Sequence, residues 1–282
     1  MINILKDDHG ILRNGWWILT FYVVLGALVV PATLYASSVH APVSPAAQAG
    51  LAAIATAICL LARRERPASV VGGAESWKVG VPAGLALGFI IWGVAAAVLW
   101  ASGAVHWQWI GTTLPSLSAA VLGCLAVAAV EELVFRGFAF QRLVAGIGAW
   151  AAQVVMGAYF VLTHSAGIAA AGEVKWLAAA NIFAASLLFG MAYLRTRSLA
   201  MPIALHFALN FVQGTLLGFG VSGTETTGLL QPELAQGASW WTGGGFGLEA
   251  SIPGTAAVVA ALILLGRWYI PQQSARADLV AP

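Results

Sequence analysis

Charge is scarce in this chain: 13 Lys and Arg with 11 Asp and Glu make up 9% of 282 residues, while 60% are hydrophobic. About a quarter of a soluble domain is charged, because its surface has to be hydrated. With a mean hydropathy of +0.86, that surface is missing, which excludes an ordinary soluble enzyme and implies a polytopic membrane protein. Cysteine is nearly absent too. Cys59 and Cys124 both lie inside apolar runs, so there is neither a disulfide framework nor a cysteine metal spacing, and both read as small membrane-core residues. No basic cluster interleaved with aromatics points to nucleic acid. The N-terminal MINILKDDHGILRNGWW has acidic residues ahead of its apolar run and no small-residue cleavage site, so the first span is expected to be retained. Without repeats, low-complexity tracts or a polar domain, 1–282 reads as one membrane-embedded unit.

What the chain does have is long apolar runs. A crossing of a ~30 Å hydrocarbon core takes about 20 residues. Eight runs qualify or come close: 16–36, 46–62, 79–101, 116–144, 149–165, 175–194, 199–219 and 253–270. The expected fold is therefore an all-α bundle of about eight transmembrane helices. Lys6, Arg13, Arg63, Arg64, Arg66, Lys78, Arg142, Arg195, Arg197, Arg267 and Arg276 then share one face, against Lys175 on the other. The positive-inside rule places that face, and both termini, in the cytoplasm. The segment 220–252, with three Glu and no Lys or Arg, is expected to be a flexible external loop that Trp240 and Trp241 anchor at the interface.

Few ionisable residues lie deep in these runs: Glu131, Glu132, Arg136, His164 and His206, joined by the strongly hydrogen-bonding Asn210. Such groups are expensive in hydrocarbon and face a cavity or a partner. Glu131 precedes Ile147 of the turn Gly146-Ile147-Gly148 by 16 residues and His164 follows it by 17. On antiparallel helices rising 1.5 Å per residue they share a depth. Counted from Arg197, His206 is about 14 Å and Asn210 about 20 Å along its helix. Four groups from three helices thus meet near the midplane or on its cytoplasmic side.

Local spacing adds roles. Glu132 and Arg136, at i,i+4, share a face and can pair, whereas Glu131 is turned about 100° away. His206 and Asn210 project together from one face, and Phe160 packs one turn before His164. A purely structural reading, in which buried hydrogen bonds tie helices together, suits Glu132 and Arg136 as well as a functional one does, and Asn210 can be such an anchor. It suits Glu131, His164 and His206 together poorly. His9, His40 and His106 read as solvated, and Glu173 and Lys175 as an exposed turn.

The ordered set Glu131-Glu132-Leu-Val-Phe-Arg136, Phe160-Val-Leu-Thr-His164 and His206-Phe-Ala-Leu-Asn210 resembles the CPBP intramembrane protease family, which includes type II CAAX prenyl endopeptidases and bacterial relatives linked with bacteriocin processing or immunity. The resemblance covers about 115–215. It implies an endopeptidase of membrane-associated or lipidated polypeptides, embedded in the bilayer of a bacterial plasma membrane, with its cavity open to the cytoplasm. Glu131 would activate water with help from His164, His206 and Asn210 would stabilise the oxyanion, and Glu132 with Arg136 would support them. The alternative implied is Zn²⁺ held by Glu131, His164 and His206 with a water in the open position, although no HExxH motif is present. A transporter or proton relay using the same Glu and His residues and a silent membrane scaffold are the competing readings.

Overall fold

A computed structural model describes Leu5, 13–237 and 239–267; Lys6, His9 and Arg276 lie outside the described residues. Helices α1 (Asn14–Ser38), α2 (Pro45–Arg63), the short α3 (Ala68–Val71) and α4 (Ala74–Ala101) lead to strand β1 (Val105–Trp109). Next come α5 (Leu114–Phe135), α6 (Phe138–Ile147), α7 (Ala149–Thr163), α8 (Ser165–Ala170) and α9 (Lys175–Thr196). The chain continues through α10 (Ala200–Asn210), a π-helical extension (Phe211–Leu216), β2 (Leu230–Leu234), α11 (Ser239–Thr242) and α12 (Ile252–Arg267). Among the described residues five helical stretches are long and apolar enough to cross a membrane: Asn14–Ser38, Pro45–Arg63, Ala68–Ala101, Leu114–Ile147 and Gly172–Thr196. The expected spans at 149–165 and 253–270 fall on the shorter apolar helices Ala149–Thr163 and Ile252–Arg267, and the one at 199–219 on α10 with its π extension. The chain is a helical multi-pass membrane protein. Its outward side chains are those suited to lipid: Leu34, Leu61, Ile90, Leu122 and Leu264 are all exposed.

Two expectations change. The fourth run is two helices, because α5 ends at Phe135 and α6 begins at Phe138. Gly137 makes the break. A Cβ there would stand 2.1 Å from the Leu133 carbonyl oxygen, so any larger residue would have to move the end of α5. The 220–252 segment, in turn, is built in rather than loose. β2 pairs antiparallel with β1, from Val105 opposite Leu234 to Trp109 opposite Leu230. Trp107 Nε1 donates to the Leu217 carbonyl at 3.1 Å, and Trp241 Nε1 to Ser102 Oγ at 3.2 Å. This small sheet, which hydropathy does not foreshadow, lies at one end of the bundle, between α4 and α5.

The other end gathers the basic residues. Arg142 grips both Glu65 carboxylate oxygens at 3.1 and 3.3 Å, and Arg63 Nε reaches Glu65 Oε1 at 2.7 Å. The Ser198 hydroxyl donates to the Val71 carbonyl at 2.9 Å, which ties the start of α10 to α3. These contacts bring the ends of α2, α6 and α9 to one surface with the starts of α4 and α10.

What positions α10 is a seam of small residues. Gly80, Gly84 and Gly88 recur every four residues on α4 and face Ala200, Ala204 and Ala208, which recur likewise on α10. Such small-xxx-small stripes let membrane helices approach to backbone contact. A Cβ at Gly84 would lie 2.4 Å from the Met201 carbonyl oxygen and 2.9 Å from the Ala204 Cβ. Gly84→Leu is expected to force the two helices apart, an overpacking of the kind that costs about 1–3 kcal/mol or more. Gly93→Leu on the same helix, where a Cβ meets nothing within 4 Å, should be tolerated. Thermal unfolding of the two variants in detergent, followed by tryptophan fluorescence, tests the contrast.

Candidate active site

The polar chain of the site starts at the end of α5, next to the break at Gly137. Arg136 is the last residue of that helical turn, its amide donating to the Glu132 carbonyl at 2.9 Å. Its guanidinium is buried. Nη1 donates to Glu132 Oε1 at 3.1 Å, and Nη2 to the Ser186 carbonyl at 2.9 Å and Ser186 Oγ at 2.7 Å on α9. The ion pair is fully out of solvent, with Arg136 at 1% and Glu132 at 0% side-chain exposure, and a buried charge is tolerable only with such partners. The faces of Phe135, Phe160 and Phe189 lie 5.7, 5.0 and 5.1 Å from the guanidinium carbon, which adds cation–π attraction in a dry setting.

The chain continues to His206. Its Nδ1 lies 2.9 Å from Glu132 Oε1; the carboxylate can only accept, so Nδ1 is the donor. Phe189 stacks on the imidazole at 4.6 Å and 9°. Bond and stack together fix the ring, and its other nitrogen, Nε2, faces Glu131 Oε2 at 3.8 Å. Consecutive carboxylates thus meet the two nitrogens of one imidazole, Glu132 from the dry side and Glu131 from the cavity side. The 100° turn between adjacent helical residues makes this division possible.

His164 closes α7. Its Nδ1 bonds the Phe160 carbonyl one turn back at 2.8 Å, an acceptor it shares with the Thr163 hydroxyl at 2.8 Å. Nδ1 therefore donates, and Nε2 keeps its lone pair. The Phe160 ring lies 4.5 Å from the His164 ring and 6.4 Å from the His206 ring, so this phenylalanine packs the two histidines and Arg136 into one unit.

Glu131, His164, His206 and Asn210 line a cavity of about 470 Å³. Glu131 Oε2 is buried within it and has no hydrogen-bond partner from the protein. A second space of about 350 Å³, between α2, α5 and α7, also reaches Glu131 and His164. Behind the histidines a narrow cleft of about 20 Å³ brings His164, His206 and Asn210 beside Glu249. Glu249 belongs to the segment expected to be a loose loop. It accepts from the Ser222 amide at 2.7 Å and from Gln213 Nε2 at 3.2 Å. Burial pushes its carboxyl above the usual range, opposed by the Ser222 hydrogen bond and by the nearby His164. Ser222 itself is held at φ +51°, a conformation uncommon for a residue with a side chain, and it lines both the cavity and the cleft.

All six expected site residues are therefore brought together. The residues that spacing did not reveal are Ser186, Gln213, Ser222 and Glu249. Gln213 lies three residues beyond Asn210, a helical spacing that could have flagged it; Glu249 carries no local signal, because only folding returns its segment to the histidines. Among the described residues no group of three His, Cys, Asp or Glu side chains is arranged to hold a metal ion. In this geometry both Nδ1 atoms are committed to protein acceptors. Truncating the guanidinium in Arg136→Ala leaves Glu132 as an uncompensated buried charge, and the expected loss is about 3–5 kcal/mol. A fall in thermal unfolding temperature larger than that of Ser186→Ala, measured on detergent-solubilised protein, checks it.

No curated protein matches the chain. Residues 112–212 match the family described as type II CAAX prenyl endopeptidase Rce1-like. That interval contains Glu131, Glu132, Arg136, Phe160, His164, His206 and Asn210, and it stops short of the 220–252 segment. It is the 112–212 segment, about a third of the chain, that is similar to the type II CAAX prenyl endopeptidase Rce1-like family.

Proposed function

We propose that this protein is an intramembrane endopeptidase that hydrolyses a peptide bond of a membrane-associated polypeptide, with water activated by Glu131. The observation that carries the reading is the Glu131 carboxylate: one oxygen, buried at the floor of a cavity, has no protein partner and faces the ring nitrogen of an imidazole held rigidly from behind. A base in that position takes a proton from water as the oxygen attacks the carbonyl carbon. His164, with its Nε2 lone pair free, assists on the same side. The oxyanion that forms is stabilised by Asn210 and by His206, whose i,i+4 spacing presents both to the cavity; with Nδ1 donating to Glu132, His206 donates through Nε2 in its protonated, imidazolium form. Glu131 then returns the proton to the departing amine, so that one peptide bond and one water become a carboxylate and an amine. Glu132 and Arg136 touch no reacting atom; they hold the His206 ring.

The wider reading has eight membrane crossings, both termini in the cytoplasm and a bacterial plasma membrane as the site of residence. Substrates of the class are membrane-associated, a prenylated CAAX-type terminus among them. A proton relay has less support. Beyond His206 the polar chain ends in the Glu132–Arg136–Ser186 cluster, and buried Phe138, Phe140 and Tyr193 stand between that cluster and the arginine-rich end. Hydrolysis by water bound to Zn²⁺ at Glu131, His164 and His206 is the second reading.

Glu131→Gln keeps the shape of the side chain and removes the base. The expected loss of cleavage is about 10²–10⁴-fold, with folding and insertion unchanged, measured on purified protein in liposomes. Cleavage at the parental rate would remove Glu131 from the mechanism. Treatment with a chelator followed by zinc add-back should leave the parental rate unaltered; loss upon chelation with recovery on zinc would establish the metal reading instead.

A further inference from the structure

The ends of the bundle differ in charge and in access, and the two differences have opposite polarity. Of the eleven Lys and Arg among the described residues, nine lie at the end where α2, α6, α9 and α12 finish and α1 and α4 begin; Lys175 alone lies at the other, and Arg136 is buried between them. The site opens away from the basic end. From Glu131 the cavity follows α5 back towards its start, past Val127, Cys124 and Ala120. It is bounded there by Thr215 at the end of the π extension and by Ser222 and Thr227 of the following segment. The neighbouring space runs beside Glu131 from Pro45 at the start of α2 and Thr163 at the end of α7 as far as Phe135 and Tyr159. Towards the basic end the way is filled: Phe138 and Phe140 of α6, Tyr193 of α9 and Met201 of α10 are all buried, with the Phe140 and Tyr193 rings in edge contact at 5.9 Å.

Short flanks rich in Lys and Arg stay in the cytoplasm. We infer that the active-site cavity opens on the non-cytoplasmic side, and that its substrate is a membrane-anchored polypeptide whose scissile bond lies on that side, at or just outside the bilayer surface. The inference rests on the endopeptidase reading and narrows it, because a lipidated C-terminus exposed in the cytoplasm would stand at the closed end. The cytoplasmic opening that the motif resemblance implies and the cytoplasmic termini that the basic residues imply exclude one another in this fold. The rim accords with an outward position. Thr224, Glu225, Thr226 and Thr227 are exposed there, and no Lys or Arg lines the cavity.

Single cysteines decide the orientation without any need for activity. In a Cys59→Ala/Cys124→Ala background, Thr227→Cys marks the cavity rim and Ser69→Cys marks the arginine-rich end; Glu225→Cys replaces the first if it accumulates poorly. A membrane-impermeant maleimide added to intact spheroplasts should label Thr227→Cys fully and Ser69→Cys only after permeabilisation. The reverse pattern, or labelling of both from one side, overturns the orientation. Single-span reporters with the same cleavable stretch on one or the other side of the membrane then test the substrate class. Cleavage confined to the non-cytoplasmic stretch, and lost in Glu131→Gln, is the expected result. Cleavage of the cytoplasmic stretch alone overturns the substrate class. Expected labelling with neither reporter cut defeats the substrate class together with the endopeptidase reading, while the orientation stands.

Discussion

The arrangement of the site depends on one buried interaction, the Arg136–Glu132 pair. A carboxylate at 0% exposure can stay charged only if a cation and hydrogen bonds replace its water. The same oxygen that takes Arg136 Nη1 also accepts from His206 Nδ1, so the pair links α5 to α10. Through Ser186 the guanidinium reaches α9. Three helices that hydrophobic packing in lipid would hold only loosely are thereby tied at one point. Removing any member would leave the others as uncompensated charge or unsatisfied donors.

That tie also divides the labour between adjacent glutamates. Glu132, spent on Arg136 and His206, is unavailable for chemistry. Glu131, one residue earlier and turned towards the cavity, retains an oxygen without a protein partner. The aromatic residues serve the same arrangement. Phe160 and Phe189 contact the guanidinium and the imidazoles together, excluding water from the side of the histidines on which it would weaken the hydrogen bonds, while the cavity side remains open.

The long connection after α10 contributes more than coverage. Its first part carries Ser222 and Thr227 to the cavity wall, and its last part carries Glu249 to the back of the histidines. The Glu249–Ser222 bond joins these two parts, and the pairing of β1 with β2 fixes the middle to the end of α4. One end of the bundle is thus shaped around an opening, whereas the other is closed by aromatic side chains and bound by the Arg142–Glu65 and Arg63–Glu65 pairs.

Sequence alone determined what rests on composition, period and spacing. The scarcity of charge sets the membrane environment, because no hydrated surface can be built. The apolar runs place the helices, and the i,i+4 pairs Glu132/Arg136 and His206/Asn210 share faces because 3.6 residues make a turn. The six candidate site residues were legible because polar and ionisable groups stand out in hydrocarbon-length runs. Only the tertiary structure decided the rest, since each remaining feature depends on contacts between residues far apart in the chain. Gly137 breaks the fourth run because the Leu133 carbonyl occupies the space of a side chain. Ser186 and Glu249, ordinary where they stand in the sequence, become partners of Arg136 and neighbours of the histidines only when α9 and the 220–252 segment fold back. The direction in which the cavity opens has no linear signature at all; it follows from which ends of the helices are filled by aromatic side chains and which are left apart.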